Sequence, residues 1–492
     1  MTPFSAYRHI QEIEYSEYIC LWRRRKKRSL HLLIWGDLMY FGKEILKYKD
    51  EILKDLDTLL KIESVSGELD AKCREALNFI LKRAEDFGLV TKNVKDKAGH
   101  AQLGHGGKLC GVLTHLDVVP AGNNWTVVPF ELTQKDGRLY GRGVADDKGA
   151  ALINLYCLRV LKESSVQGKN TLRAIFGTDE EKGMKDMDIY FKEEPVPDYS
   201  FTPDSEYGIC IGEKGILQLK LYADGHDGKA LTEFHSGKAV NAVPDTAYAL
   251  LETNEYDDHQ LMRLADASGG NFEFIYTIDG LMILCRGKSA HACEPEKGKN
   301  AAAQLVKLLA EHFCHSDLGS ICTFIDYAIN NETDGRSLGI KMCDSVSGEL
   351  TVNVGMVKII DGKAELTLDV RYPVTVNGDG ILYRISKSAE LENLKVKVLS
   401  HLRPLYLEKD STIINLLSQA YKTVTGEDAS LYTTGGGTYA RKLGGNGVAF
   451  GPVFPGDEIN MHNADESIDV KNYFKHAEIC LEAMYKMYTE NL

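Results

Sequence analysis

The side chains of this chain that suit metal binding are spread so widely that the fold must gather them before they can act together. His115 and Asp117 lie in T-H-L-D-V-V-P, Asp146 in G-R-G-V-A-D-D-K-G, Glu180 and Glu181 in G-T-D-E-E, Asp204 in T-P-D-S-E and His462 in M-H-N-A-D-E. More than half of the 492 residues separate Asp204 from His462, so the last part of the chain must fold back onto the part that carries His115. Two histidines with several carboxylates suit a pair of divalent cations better than a single one. Such a site also needs a proton acceptor outside the ligand set, and the Glu180–Glu181 pair can supply one of each. The chain therefore reads first as a metal-dependent hydrolase.

Hydrophobic spacing indicates how the gathering is done. Ile45, Tyr48, Ile52, Leu56, Leu59 and Leu60 recur at helical intervals between charged residues, which predicts a helix with one buried face over 45–62. A second helix is predicted over 71–87. Residues 109–119 read as a buried strand ending in His115 and Asp117, residues 147–161 as a helix, and residues 170–177 as a strand delivering Glu180 and Glu181. Strand, helix, strand in this order implies parallel pairing. Ligands bind at the C-terminal ends of strands in such sheets, and His115, Glu181 and Asp204 all follow apolar runs.

Beyond Asp204 the pattern changes. Strand-like runs at 216–222, 272–276, 281–285, 350–358 and 364–371 surround helical stretches at 245–254 and 300–312. Helices are then predicted over 407–424 and 470–488, on either side of Gly435–Gly437. The expected fold is α/β, with a mostly parallel sheet flanked by helices over 39–213 and 405–492. An α+β domain is inserted over 214–404, and residues 1–38 form an N-terminal extension.

Each motif has a plainer reading beside the chemical one. His115 and Asp117 are two apart on a strand and face one side, which suits an imidazole ligand with a carboxylate that orients it; a satisfied strand histidine explains the pair as well. Asp146 can bridge two cations through its two oxygens, or it can cap the helix that follows. Of Glu180 and Glu181, one can take a metal while the other accepts a proton from the attacking water, although adjacent glutamates also occur in charged turns. His291, in R-G-K-S-A-H-A-C-E-P, can donate to the oxyanion of a tetrahedral intermediate, or it is an exposed loop histidine. T-T-G-G-G-T over 433–438 offers backbone N–H groups to a carboxylate or carbonyl, and the absence of a following G-K-[ST] excludes a phosphate loop.

Bulk properties narrow the setting. At this length two domains are the default. A net charge of −13 argues against a nucleic-acid partner. The 11 cysteines form no C-x-x-C pair, which points to reduced thiols and a cytoplasmic protein. Arg23–Arg28 precede a short apolar stretch broken by Gly36 and Asp37, too short to span a membrane. Residues 1–38 are either a loosely ordered extension or untranslated sequence ahead of a start at Met39.

The motifs H-L-D-V-V-P, G-R-G-V-A-D-D-K-G, F-G-T-D-E-E, F-T-P-D-S-E, G-K-S-A-H-A, G-G-G-T-Y-A-R and M-H-N-A-D-E occur together and in order. In this the chain resembles the metallopeptidases of family twenty in clan MH, the group of aminoacylases, carboxypeptidases and carnosinase-like dipeptidases, and within it the bacterial dipeptidase V group. The resemblance implies a zinc-peptidase-like catalytic domain, with the insert serving as a lid. It further implies that His115 and Asp204 hold one metal, Glu181 and His462 the other, and that Asp146 bridges both. Glu180 is then the general base, Asp117 orients His115, His291 stabilises the tetrahedral intermediate, and the Asp146–Asp147 peptide is cis. Asn241, Arg371, Gly435, Gly436 and Gly437 are implied substrate contacts. The implied cofactors are two divalent ions, usually zinc and in some dipeptidases manganese. The implied activity is hydrolysis of dipeptides, with N-acyl amino acid deacylation or desuccinylation as the alternative inside the family and a non-catalytic metal-binding protein as the alternative outside it. The long insert resembles a built-in substitute for a second subunit, which implies a monomer.

Overall fold

The computed structural model describes residues 40–67 and 70–492; the extension read over 1–38 lies outside the described residues. The apolar run Leu109–His115 forms a strand parallel to Thr171–Gly177, in register from Leu109 opposite Thr171 to His115 opposite Gly177. A parallel pair needs a crossover, and the Lys148–Glu163 helix provides it. Tyr199–Thr202 lies parallel on the other side of Leu109–His115, followed by Gly447–Ala449. The centre of this nine-stranded sheet is thus parallel, as the strand–helix–strand pattern implies. Its flanks are mostly antiparallel, with Val90–Val94 and Ala98–Leu103 at one edge and Ile209–Glu213 and Leu405–Tyr406 toward the other, where Leu431–Thr434 adds a parallel pairing with Ile209–Glu213.

The crossover helix is buried on nearly every side. Leu152, Leu155 and Leu158 are fully buried, as are Ile153 and Tyr156. A helix apolar all round must be covered on both faces. The sheet covers one, and the C-terminal Val470–Thr489 helix packs against the other. This packing returns the end of the chain to its first half. The same hydrophobic cluster draws on Ile45 through Ile211 and on Leu405 through Tyr488.

A second cluster runs from Leu217 to Leu394. It belongs to an eight-stranded antiparallel sheet in the order Asn271–Thr277, Gly280–Arg286, Thr246–Leu251, Leu231–Ser236, Thr351–Ile360, Lys363–Tyr372, Gly215–Ala223 and Lys395–Leu402. One expectation fails here. Residues 245–254 are not a helix: Thr246–Leu251 is a strand with Ala247, Ala249 and Leu251 buried in alternation, the period of a pleated sheet. The helix begins only at Glu255, where Asn254 accepts from the Tyr256 and Asp257 N–H groups in a capping box. The helix expected over 407–424 likewise starts later, at Thr412 behind Ser411, because Leu405–Tyr406 pairs with the sheet edge. Among the described residues no helix is long and apolar enough to cross a membrane.

One polar link locks the returning C-terminal segment to the loop that carries Asp146. Ser467–Asp469 pairs with Arg138–Tyr140, and the neighbouring Glu466 inserts beneath the glycine turn. Its carboxylate accepts from Arg142 Nη1 at 2.6 Å and from the N–H groups of Gly143, Ala145 and Asp146 at 3.1, 3.0 and 3.2 Å. Both side chains of the ion pair are 1% exposed. Removing one partner of a buried pair strands the other charge. Glu466→Ala should therefore lower unfolding free energy by about 3–5 kcal/mol. Urea unfolding checks this, and an unchanged midpoint would refute the link.

Candidate metal centre

The parallel strand ends deliver the acidic cluster to one place. His115 closes its strand, Glu180 and Glu181 form a short 3-10 turn just beyond Thr171–Gly177, and Asp204 follows Tyr199–Thr202. Asp146 sits between the two histidines: one carboxylate oxygen lies 2.9 Å from His115 Nε2 and the other 3.0 Å from His462 Nε2. His462 Nε2 is also 3.3 Å from Glu181, and His115 Nε2 is 3.9 Å from Asp204. His115, Glu180 and Asp204 present ligand atoms within 4.8 Å of one another, as do His115, Asp146 and Glu181. The Asp146–Asp147 peptide is cis, as the resemblance implies.

The capping reading of this aspartate pair does not hold. Asp147 occupies the N-cap position of the Lys148–Glu163 helix but makes no capping bond; its carboxylate accepts from the His115 N–H at 3.1 Å. Asp117 is also used differently from the simplest expectation. The His115 ring bonds through Nδ1 to the Asp117 backbone carbonyl at 2.8 Å, while the nearer carboxylate oxygen stands 3.5 Å away. The Asp117 carboxylate instead accepts the N–H groups of Glu180 and Glu181, each at 3.2 Å, and the Ser66 hydroxyl at 2.7 Å. Asp117 therefore holds both His115 and the glutamate turn.

So many acids in a buried site oppose one another's ionisation. Burial, then the Asp146 charge, pushes Asp204 well above the usual carboxylate range, and burial and the Asp204 charge do the same to Glu180. Burial also works against a charged Asp146, but hydrogen bonds from His115 and His462 outweigh it and hold that carboxyl low. Burial disfavours a charged His462 ring too, yet Asp146 and Glu181 raise its pKa to about 10. Glu180 Oε1 and Asp147 Oδ1 are buried without hydrogen-bond partners. Two imidazoles, converging carboxylates and unpartnered buried oxygens form a donor set that divalent cations would satisfy. The residues fit the implied metals.

A second group of predicted residues gathers around the glycine loop. Arg371 donates to the Gly435 carbonyl at 2.7 Å and holds Asp369 through Nε and Nη2 at 2.5 and 2.9 Å. Gly435 is required by close approach, since a Cβ there would come within 2.6 Å of Cys293 Cβ. Gly436 gives its N–H to Thr434 and its carbonyl to Arg441, and a Cβ on Gly437 would meet the Arg441 side chain at 2.7 Å. His291 is exposed and pairs across a β-bridge with Ala242, which places Asn241 beside it. Partial burial and the neighbouring Arg371 charge hold the His291 pKa below its usual value, and His462 adds to this effect.

Sequence reasoning passed over Glu466, Ser66 and Cys293. Glu466 ends the very motif that contains His462, and its signal was Arg142: an arginine inside a glycine turn of a buried loop needs a buried acid. Ser66 stands far from the other motifs and had no signal.

Comparison with known proteins places nearly the whole chain. The Peptidase family M20/M25/M40 matches residues 111–486. "Putative dipeptidase YtjP" of Bacillus subtilis is 32% identical over 463 residues, covering 90% of this chain and 98% of that protein. "Putative dipeptidase SSP1012" of Staphylococcus saprophyticus is 34% identical over 469 residues, covering 91% and 99%. Human carnosine dipeptidase 1 and the dipeptidase Dug1p of Saccharomyces cerevisiae share the fold, each with a TM-score of 0.58 at 15% identity, covering 91% of this chain and 98% of theirs. The chain belongs to the M20/M25/M40 peptidase family.

Proposed function

We propose that this peptidase is a dipeptidase that uses two divalent cations and Glu180 as its general base. The observation that carries the reading is Asp146, whose two carboxylate oxygens each face a different histidine. The relatives named as dipeptidases, more than 30% identical over almost their whole length, support dipeptides as the substrate class. In this reading His115 and Asp204 hold one cation, Glu181 and His462 the other, and Asp146 both. The His and carboxylate donors suit zinc, our proposed occupant, and they also suit manganese.

Cations bound there would supply Lewis acidity toward the scissile carbonyl and make the attacking water more acidic. Glu180, with an unpartnered oxygen in the cluster, accepts a proton from that water and passes it to the leaving amine. Asp117 keeps the Glu180 turn in place. His291 donates to the oxyanion as it forms. Arg371 spends three of its five N–H donors within the protein, which leaves two for a substrate carboxylate. Asn241 and Gly435–Gly437 line the same side. The 214–404 unit acts as a lid that excludes water. Because Arg371 reaches Gly435 of its own chain, this arrangement asks nothing of a second copy, in keeping with a monomer.

Glu180→Gln should lower kcat at least about 100-fold while metal content, read by elemental analysis, stays at two ions per chain. Near-normal turnover in that variant would remove Glu180 from its assigned role. A panel of dipeptides and N-acyl amino acids, run with and without chelator, tests the substrate class. Dipeptides should release free amino acids, and chelation should abolish the release. Cleavage confined to N-acyl substrates would move the chain to the deacylases, and bound metal without any hydrolysis would end the enzymatic reading.

A further inference from the structure

His291 lies in a contact that its proposed role does not account for. The Cys293 sulfur is 2.8 Å from His291 Nδ1, and the Cys293 backbone N–H points at the same nitrogen from 3.3 Å. A backbone N–H can only donate, so Nδ1 is the acceptor. A neutral imidazole has one N–H and one bare nitrogen. With Nδ1 accepting, the proton must sit on Nε2.

We propose that Cys293 is a positioning residue for hydrolysis: its thiol and N–H keep His291 Nδ1 as an acceptor, which fixes the Nε2–H form of the ring. This rests on the reading of His291 as the oxyanion donor. An imidazole can give a hydrogen bond to a developing oxyanion only from a protonated nitrogen, and one already held in the right form needs no rearrangement as charge appears. The thiol is the smaller part of the restraint, since the backbone N–H persists whatever the side chain.

The surroundings hold the cysteine itself in place. Its Cβ packs on Gly435, where no larger residue fits, and the Gly435 carbonyl takes the Arg371 guanidinium. The His291 ring, the thiol, the glycine loop and Arg371 thus form one contact chain. On the other side, the Ala292 N–H bonds to the Asn241 carbonyl at 2.9 Å and the Val243 N–H to Ala290 at 2.8 Å, so the histidine loop is laddered to the segment bearing Asn241. The ring direction is therefore set from both sides, and the thiol joins the Cys293 N–H in selecting the tautomer.

A double-mutant cycle on the metal-loaded enzyme tests the inference, using Cys293→Ala, Cys293→Ser, His291→Ala and the double variant His291→Ala/Cys293→Ala on a dipeptide. Cys293→Ala should lower kcat about fivefold, the worth of one neutral hydrogen bond, with KM changed by less than about twofold. Cys293→Ser, which retains a donor, should restore most of the loss. In the His291→Ala background the alanine change should have no further effect, because Cys293 acts only through that ring. A Cys293→Ala variant with unchanged kcat beside an impaired His291→Ala overturns the inference and leaves the role of His291 standing. An equal loss in both backgrounds also overturns it, since Cys293 would then act independently of the ring. A fully active His291→Ala variant would remove the oxyanion reading and this inference with it. Melting temperature and metal content of each variant separate these outcomes from failure to fold.

Discussion

The carboxylate of Asp146, held between His115 and His462, is the contact on which the rest of the arrangement depends. It joins the end of a central strand to a loop near the C-terminus, and His462 could not meet it unless the chain returned over the crossover helix. The return is an apolar event, since the Val470–Thr489 helix covers the exposed face of a helix that is hydrophobic all round. The polar event follows from it. Once that last helix is docked, Glu466 falls beneath the Gly-Arg-Gly turn, neutralises Arg142 and ties down three N–H groups leading into Asp146. The hydrophobic core thus brings the segments together, and a buried hydrogen-bond network sets their final positions.

That division explains the unusual density of buried acids. Asp117, Asp146, Asp147 and Glu466 are all at most 5% exposed, which is costly for carboxylates unless each is matched. Three are matched by the protein itself: Asp117 by the glutamate turn and Ser66, Asp147 in part by the His115 N–H, and Glu466 by Arg142 and the glycine turn. Each of these bonds fixes the backbone on which a presumed ligand or base sits. Asp204, Glu180 and Glu181 are left facing one another, which raises their pKa values, and in the proposed function bound cations would relieve that repulsion. The surrounding network sets the geometry, while the central acids supply the affinity.

Much of this was legible from residue order. The parallel centre of the sheet followed from an apolar strand, a helical crossover and a second apolar strand. The approach of His115, Glu181 and Asp204 followed from their places after apolar runs, and that of Asp146 and His462 from the resemblance of the motifs. Residues 245–254 misled because Ala247, Ala249 and Leu251 have no β-branch, and the pattern carries a weak period of either kind; their burial is decided by neighbouring strands far away in sequence. The antiparallel edge strands are short and pair through backbone groups, which leave no mark on side-chain order. Glu466 and Cys293 escaped for a different reason. Their partners, Arg142 and His291, were visible, but an ion pair across more than 300 positions and a thiol–imidazole contact show only in space.

The two groups of residues also differ in how they are held. The acidic cluster around Asp146 draws His115, Glu180, Glu181 and Asp204 from the strand ends of one sheet, and buried hydrogen bonds pin the turns that carry them. The substrate-facing residues rest on loops: His291 and Asn241 on two laddered segments, Arg371 at the end of a strand in the other sheet, and Gly435–Gly437 on the loop they meet. Between the sheets the contacts include the Arg371–Gly435 bond, the packing of Cys293 on Gly435, and bonds from Thr433 to the Val346 carbonyl and from Arg441 to the Arg403 and Lys214 carbonyls. In the proposed function this difference would serve catalysis by differential binding, with the charge-holding groups fixed and the substrate-recognising loops free to adjust.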